Sequence, residues 1–77
     1  MEFPQYRKRF DDKSFYKIIN ERTFEEVQLI GEKVFLHELT ATKYFEIILV
    51  QDILANKDGM YEPISSDVYE GVRNRLF

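Results

Sequence analysis

The chain has 77 residues, no cysteine and one histidine, which excludes disulfides, thiolate metal sites and a histidine-rich zinc site. At 44% hydrophobic and 16% aromatic it has the material for a folded core rather than a disordered chain. Its net charge of −3 is unevenly spread. Residues 1–17 carry five basic side chains against three acidic, and residues 18–70 carry four against eleven. Arg73 and Arg75 make the other end basic. An acidic body repels phosphate, which argues against general nucleic-acid binding.

Residues 1–13 show no periodicity. Pro4, the Arg7-Lys8-Arg9 cluster and Asp11-Asp12 read as a loop or mobile arm, with residues 14–77 forming a single α+β domain. Ser14 to Asn20 is rich in aromatic and β-branched types and reads as the first strand. Residues 24–30 and 33–40 flank Gly31-Glu32. A glycine at the first loop position suits a two-residue type II′ hairpin. That loop sets Ile30 opposite Lys33, Leu29 opposite Val34, Val27 opposite Leu36, Glu26 opposite His37 and Phe24 opposite Leu39. One face then carries Val27, Leu29, Val34 and Leu36, the expected core face. The other mixes Phe24, Phe35 and Leu39 with Glu26, Gln28 and His37, too apolar for solvent and too polar for deep core. Thr23 with Glu26 also matches a capping box, a competing helical reading of 23–30.

Residues 42–55 fit a helix by length, by the stop signal at Asn56 to Gly59, and by Thr42 as N-cap. The β-branched Ile47-Ile48 and Val50 also suit a strand. As a helix it is apolar around most of its circumference, which implies burial on more than one side. Residues 60–64 are short and extended, and Pro63 confines any strand there to an edge. Residues 65–76 read as a final helix capped by Ser65, with Ile64 and Tyr69 at hydrophobic-staple spacing and a Val68, Val72, Leu76 stripe. The whole is α+β: a small antiparallel sheet of three to four strands packed by two helices. Its expected core is Phe15, Ile18, Val27, Leu29, Val34, Leu36, Ile47, Val50, Leu54, Val68, Val72 and Leu76.

Sites of chemistry are sparse. His37 has no nucleophile in a recognised context, and a Glu–His pair across strands is commonly a surface contact. Adjacent acids such as Asp11-Asp12 and Glu25-Glu26 point to opposite faces in extended chain. The three glycines are isolated, so no phosphate-cradling loop is available. No catalytic residue, metal ligand or cofactor is assigned. Tyr6-Arg7-Lys8-Arg9-Phe10 interleaves base and aromatic, a pattern that grips single-stranded nucleic acid. Arg7, Lys8, Arg9 and Phe10 are therefore the candidate contacts for that reading. Phe24, Phe35 and Leu39 on the mixed face are the candidate protein interface.

The strings Phe15-Tyr16-Lys17-Ile18-Ile19, Phe24-Glu25-Glu26-Val27-Gln28-Leu29-Ile30-Gly31 and Tyr61-Glu62-Pro63-Ile64-Ser65, with Tyr69-Glu70, resemble a group of small uncharacterised bacterial proteins. The resemblance spans most of the chain. It implies a bacterial, stand-alone domain and supplies no activity or functional residue. No secretory leader or membrane span is legible, so a cytoplasmic location is expected. The expected role is a non-enzymatic protein-interaction module whose partner is another protein or a second copy of itself in a homodimer, with no small-molecule ligand inferred. The alternative is a small nucleic-acid-binding accessory protein. An enzyme built on His37 and a carboxylate ranks below both.

Overall fold

Hydrogen-bonding groups along residues 5–9 pair on both sides, and this decides the architecture of the chain. The computed structural model describes residues 2–76, with Leu76 described by its backbone alone, so its expected place in the core lies outside the described residues. Strands β1 (Gln5–Arg9), β2 (Ser14–Ile18), β3 (Thr23–Ile30) and β4 (Lys33–Thr40) precede helix α1 (Tyr44–Leu54). A 3₁₀ turn at Lys57–Gly59, strand β5 (Tyr61–Pro63), helix α2 (Ser66–Arg73) and a second 3₁₀ turn at Asn74–Leu76 follow. The sheet is antiparallel with order β4-β3-β2-β1-β5.

The class is α+β as expected, but the sheet has five strands, not three or four. The extra strand is β1, drawn from the stretch read as a mobile arm. It is an inner strand between β2 and β5. Its alternation is hidden because Arg7 and Arg9 stand where apolar residues would signal a buried face.

The β3–β4 hairpin has the expected register, from Ile30↔Lys33 to Thr23↔Thr40. Gly31 has φ +60°, and Glu32 is not in the left-handed region, as a type II′ loop requires. Residues 23–30 are strand, not the helix that Thr23 and Glu26 allowed.

The helices cover opposite faces. On one, α1 packs Val50 and Ile53 onto Tyr16, Ile18 and Phe24, with Leu39 and Tyr61 at the margin. The ring of Tyr16 meets Phe24 and Tyr61 edge-on, each at 5.8 Å between centroids. On the other, α2 sets Tyr69 against Phe15 and Val27, flanked by Tyr6, Leu29, Val34, Ile64 and Val72. Both faces are therefore core faces. The mixed pattern of the second arises because α1 covers its Phe24 and Leu39 end alone.

Several side chains sit differently from expectation. Leu36 and Val68 are exposed, whereas Tyr16, Phe24, Ala41, Ile53 and Tyr69 are buried. In α2 the inward residues are Tyr69 and Val72, so the buried stripe is one residue out of phase with Val68. Ser65 caps α2 as expected, accepting the Val68 N–H at 3.2 Å. Residues 42–55 form a helix, but its N-cap is Lys43 rather than Thr42. Glu46 reaches back to accept the N–H groups of Lys43 (3.0 Å) and Thr42 (3.2 Å). These contacts, led by the Lys43 bond, hold its carboxyl below the usual range. Asn56 ends the helix in the left-handed region, φ 51°, and its side chain accepts the Tyr61 N–H at 2.8 Å.

Candidate interaction surface

The surface begins with the two-residue hairpin. In such a loop the flanking pair exchanges hydrogen bonds, so Lys33, Phe35, His37 and Leu39 bond to β3. The N–H and C=O groups of Val34, Leu36, Glu38 and Thr40 then point away from the sheet. The other side of β3 agrees: Leu29 N–H donates to Lys13 at 2.8 Å and Thr23 accepts from Ile19 at 2.9 Å, both toward β2. The Asn74–Leu76 turn comes close to β4, yet among the described residues no hydrogen-bond partner meets the strand's four outward residues. This edge is eight residues long and contains no proline. The opposite edge, β5, is three residues long and ends in Pro63, which has no N–H to offer.

Apolar side chains flank the open edge on both faces. Phe35 is 40% exposed on the α1 side and Leu36 41% exposed on the α2 side. Phe35 stacks on His37 with ring centroids 6.5 Å apart, and His37 Nε2 lies 3.1 Å from Gln28 Oε1. Past the far end of β4, the first turn of α1 exposes Tyr44 (80%) and Phe45 (68%). The Lys43 ammonium lies 6.0 Å from the Phe45 ring centre. This is the solvent side of a helix that is apolar nearly all round and buried along one side only.

Of the three candidate interface residues, Phe35 alone is well exposed. Phe24 is 4% exposed beneath α1, and Leu39 is half-buried beside it. Tyr44 and Phe45 did not stand out in the sequence, where helical spacing makes an exposed aromatic look like a core one.

The basic cluster is divided by strand alternation. Arg7 and Arg9 lie on the α1 side and Lys8 on the α2 side. Arg7 is buried, and its guanidinium donates to the carbonyls of Tyr6 (2.9 Å) and Leu54 (3.4 Å) and to Gln5 Oε1 (3.2 Å). Burial pulls it below the usual arginine range. Leu54 is the last residue of α1, whose own final turn has no basic side chain, so Arg7 supplies the positive charge that the helix C-terminus favours. Lys8 pairs with Asp12 and with Glu62 at 3.5 Å, and Arg9 with Asp11 at 3.7 Å. Phe10 is exposed.

Two further features lie apart from β4. A cleft of about 460 Å³ runs between Phe3, the β2–β3 turn at Glu21-Arg22, and the Ile47, Gln51 and Leu54 side of α1. On the α2 side, Tyr69 Oη donates to Glu25 Oε1 at 2.6 Å, and Arg73 Nε donates to the same oxygen at 2.8 Å. Burial pushes the Glu25 carboxyl up, but the hydrogen bonds from Tyr69 and Arg73 outweigh it and its pKa falls below normal. Burial, reinforced by Glu25, pushes the Tyr69 hydroxyl far up, so it stays a donor. The group ties α2 to β3.

No protein-family model matches the chain, and neither a curated protein nor a solved structure does. No helix among the described residues is long and apolar enough to cross a membrane.

Proposed function

We propose that this protein is a non-enzymatic interaction module of the cytoplasm that works by self-association. One observation carries the reading: apolar surface is left open along β4 and the first turn of α1, which residues 41–43 join directly. Small domains bury a modest share of their surface and gain stability from a partner. A strand edge with open backbone groups and apolar flanks is a template for another chain.

Light scattering behind a sizing column, over a range of protein concentrations, tests the reading. The expected mass is about twice the 9.3 kDa of one chain at high concentration, falling toward 9.3 kDa on dilution. A mass of one chain at every concentration overturns it. The alternative, single-stranded nucleic acid gripped by Arg7, Lys8, Arg9 and Phe10, has less support, because alternation and internal pairing divide the cluster. It requires oligonucleotide binding that weakens with salt.

A further inference from the structure

We propose that two copies pair edge to edge through β4, antiparallel, about a two-fold axis passing through His37. The inference rests on the self-association reading and names the occupant of the open edge: a second copy of the same strand.

The register follows from which groups are open. Opposed residues in an antiparallel pair share a sheet face, so a two-fold axis perpendicular to the sheet must pass through a residue position rather than between two. The outward groups belong to Val34, Leu36, Glu38 and Thr40. With the axis at His37, Val34 meets the partner's Thr40 and Leu36 meets the partner's Glu38. Each pair occurs twice, giving about eight backbone hydrogen bonds and leaving none of the four residues open. An axis at Leu36 would set Thr40 against Glu32 of the turn, outside the strand. An axis at Glu38 would oppose that carboxylate to its own copy, a destabilising like-charge pair.

Side chains agree with the same register. Phe35 meets the partner's Leu39 on the α1 face, extending each apolar cluster across the junction. Within one copy, exposed Phe35 lies toward the hairpin end of β4, and exposed Tyr44 and Phe45 follow its other end. Antiparallel pairing brings those opposite ends together. Lys33 faces the partner's Ala41 and Glu38 faces the partner's Leu36, so no ammonium or carboxylate of β4 meets its like. The result is one ten-stranded sheet whose outer edges are the two short, proline-blunted β5 strands.

The absence of native cysteine gives a clean test. At His37 the backbone groups point to β3, so the residue and its copy form a non-hydrogen-bonded pair about 4.5 Å apart at Cα, within disulfide range. His37→Cys under mild oxidation is expected to give a covalent dimer that reductant releases. Phe35→Cys is the control: its copy lies four residues along the strand, about 13 Å away, and no covalent dimer is expected. Leu36→Pro removes an outward N–H that has no acceptor among the described residues of one copy and is expected to give a folded monomer by circular dichroism and light scattering. A dimer that survives Leu36→Pro and yields no His37→Cys cross-link overturns β4 pairing while leaving self-association standing. Dissociation by Leu36→Pro without the cross-link overturns the axis at His37. If Leu36→Pro does not fold, the two cysteine variants decide. A wild-type chain that is monomeric throughout overturns both readings.

Discussion

Glu25 couples the charge of one carboxylate to the stability of a single copy. Its carboxylate accepts from Tyr69 and Arg73 in a half-buried setting, and those bonds favour the ionised form. The folded-state pKa is lowered, so the stabilisation is fully present above the unfolded value of about 4.3 and is lost as pH falls through the folded one. Denaturant titrations from neutral pH to about pH 3 are expected to show this loss, and Glu25→Gln to remove its part of it. Tyr69→Phe deletes one charge-assisted bond and is expected to cost about 1.5–3 kcal/mol at neutral pH, read by the same titrations. An unchanged midpoint would mean that water replaces the hydroxyl without loss. This latch explains why the α2 phase was not legible in the sequence. Val68, Val72 and Leu76 form the more hydrophobic stripe, but Tyr69 turns inward because its hydroxyl has a partner on β3.

Elements differ in how openly the sequence declares them. Gly31 with two flanking runs was enough for the hairpin and its register, because a two-residue loop permits one pairing. Which groups of β4 point away from β3 follows from that register, but that β4 lies at an edge comes only from the strand order, and the exposed Tyr44 and Phe45 have no such signal. β1 was not legible. Its buried position is filled by Arg7, whose charge reads as surface until the C-terminus of α1 is placed over it. An arginine that caps a helix from a neighbouring strand has no local signature. Arg7→Met, which keeps the apolar stem, is expected to lower stability by about 1–2 kcal/mol through the lost bond to Leu54 and the uncompensated helix end. Thermal unfolding monitored by circular dichroism reads this directly, and no shift in midpoint would deny Arg7 that role.

At the scale of the molecule, a five-stranded sheet clad by one short helix on each face leaves one of its two longest strands at an edge. The sequence showed surplus apolar content but misplaced it. Alternation puts Phe24 on one face with Phe35 and Leu39, yet α1 covers Phe24 and stops short of Phe35. How far a helix extends over a sheet depends on the crossing of elements distant in sequence, which periodicity does not encode. Self-association along β4 would resolve the asymmetry between a long open edge and a short blunted one.

Amide hydrogen exchange of β4 in dilute and concentrated protein tests that claim most directly. The N–H groups of Val34, Leu36, Glu38 and Thr40 are expected to exchange freely in dilute protein and slow markedly as concentration rises. Those of Phe35, His37 and Leu39, already bonded to β3, should be protected under both conditions. Rapid exchange of the four outward amides at a concentration where the mass is that of a dimer would contradict edge pairing and move the interface elsewhere.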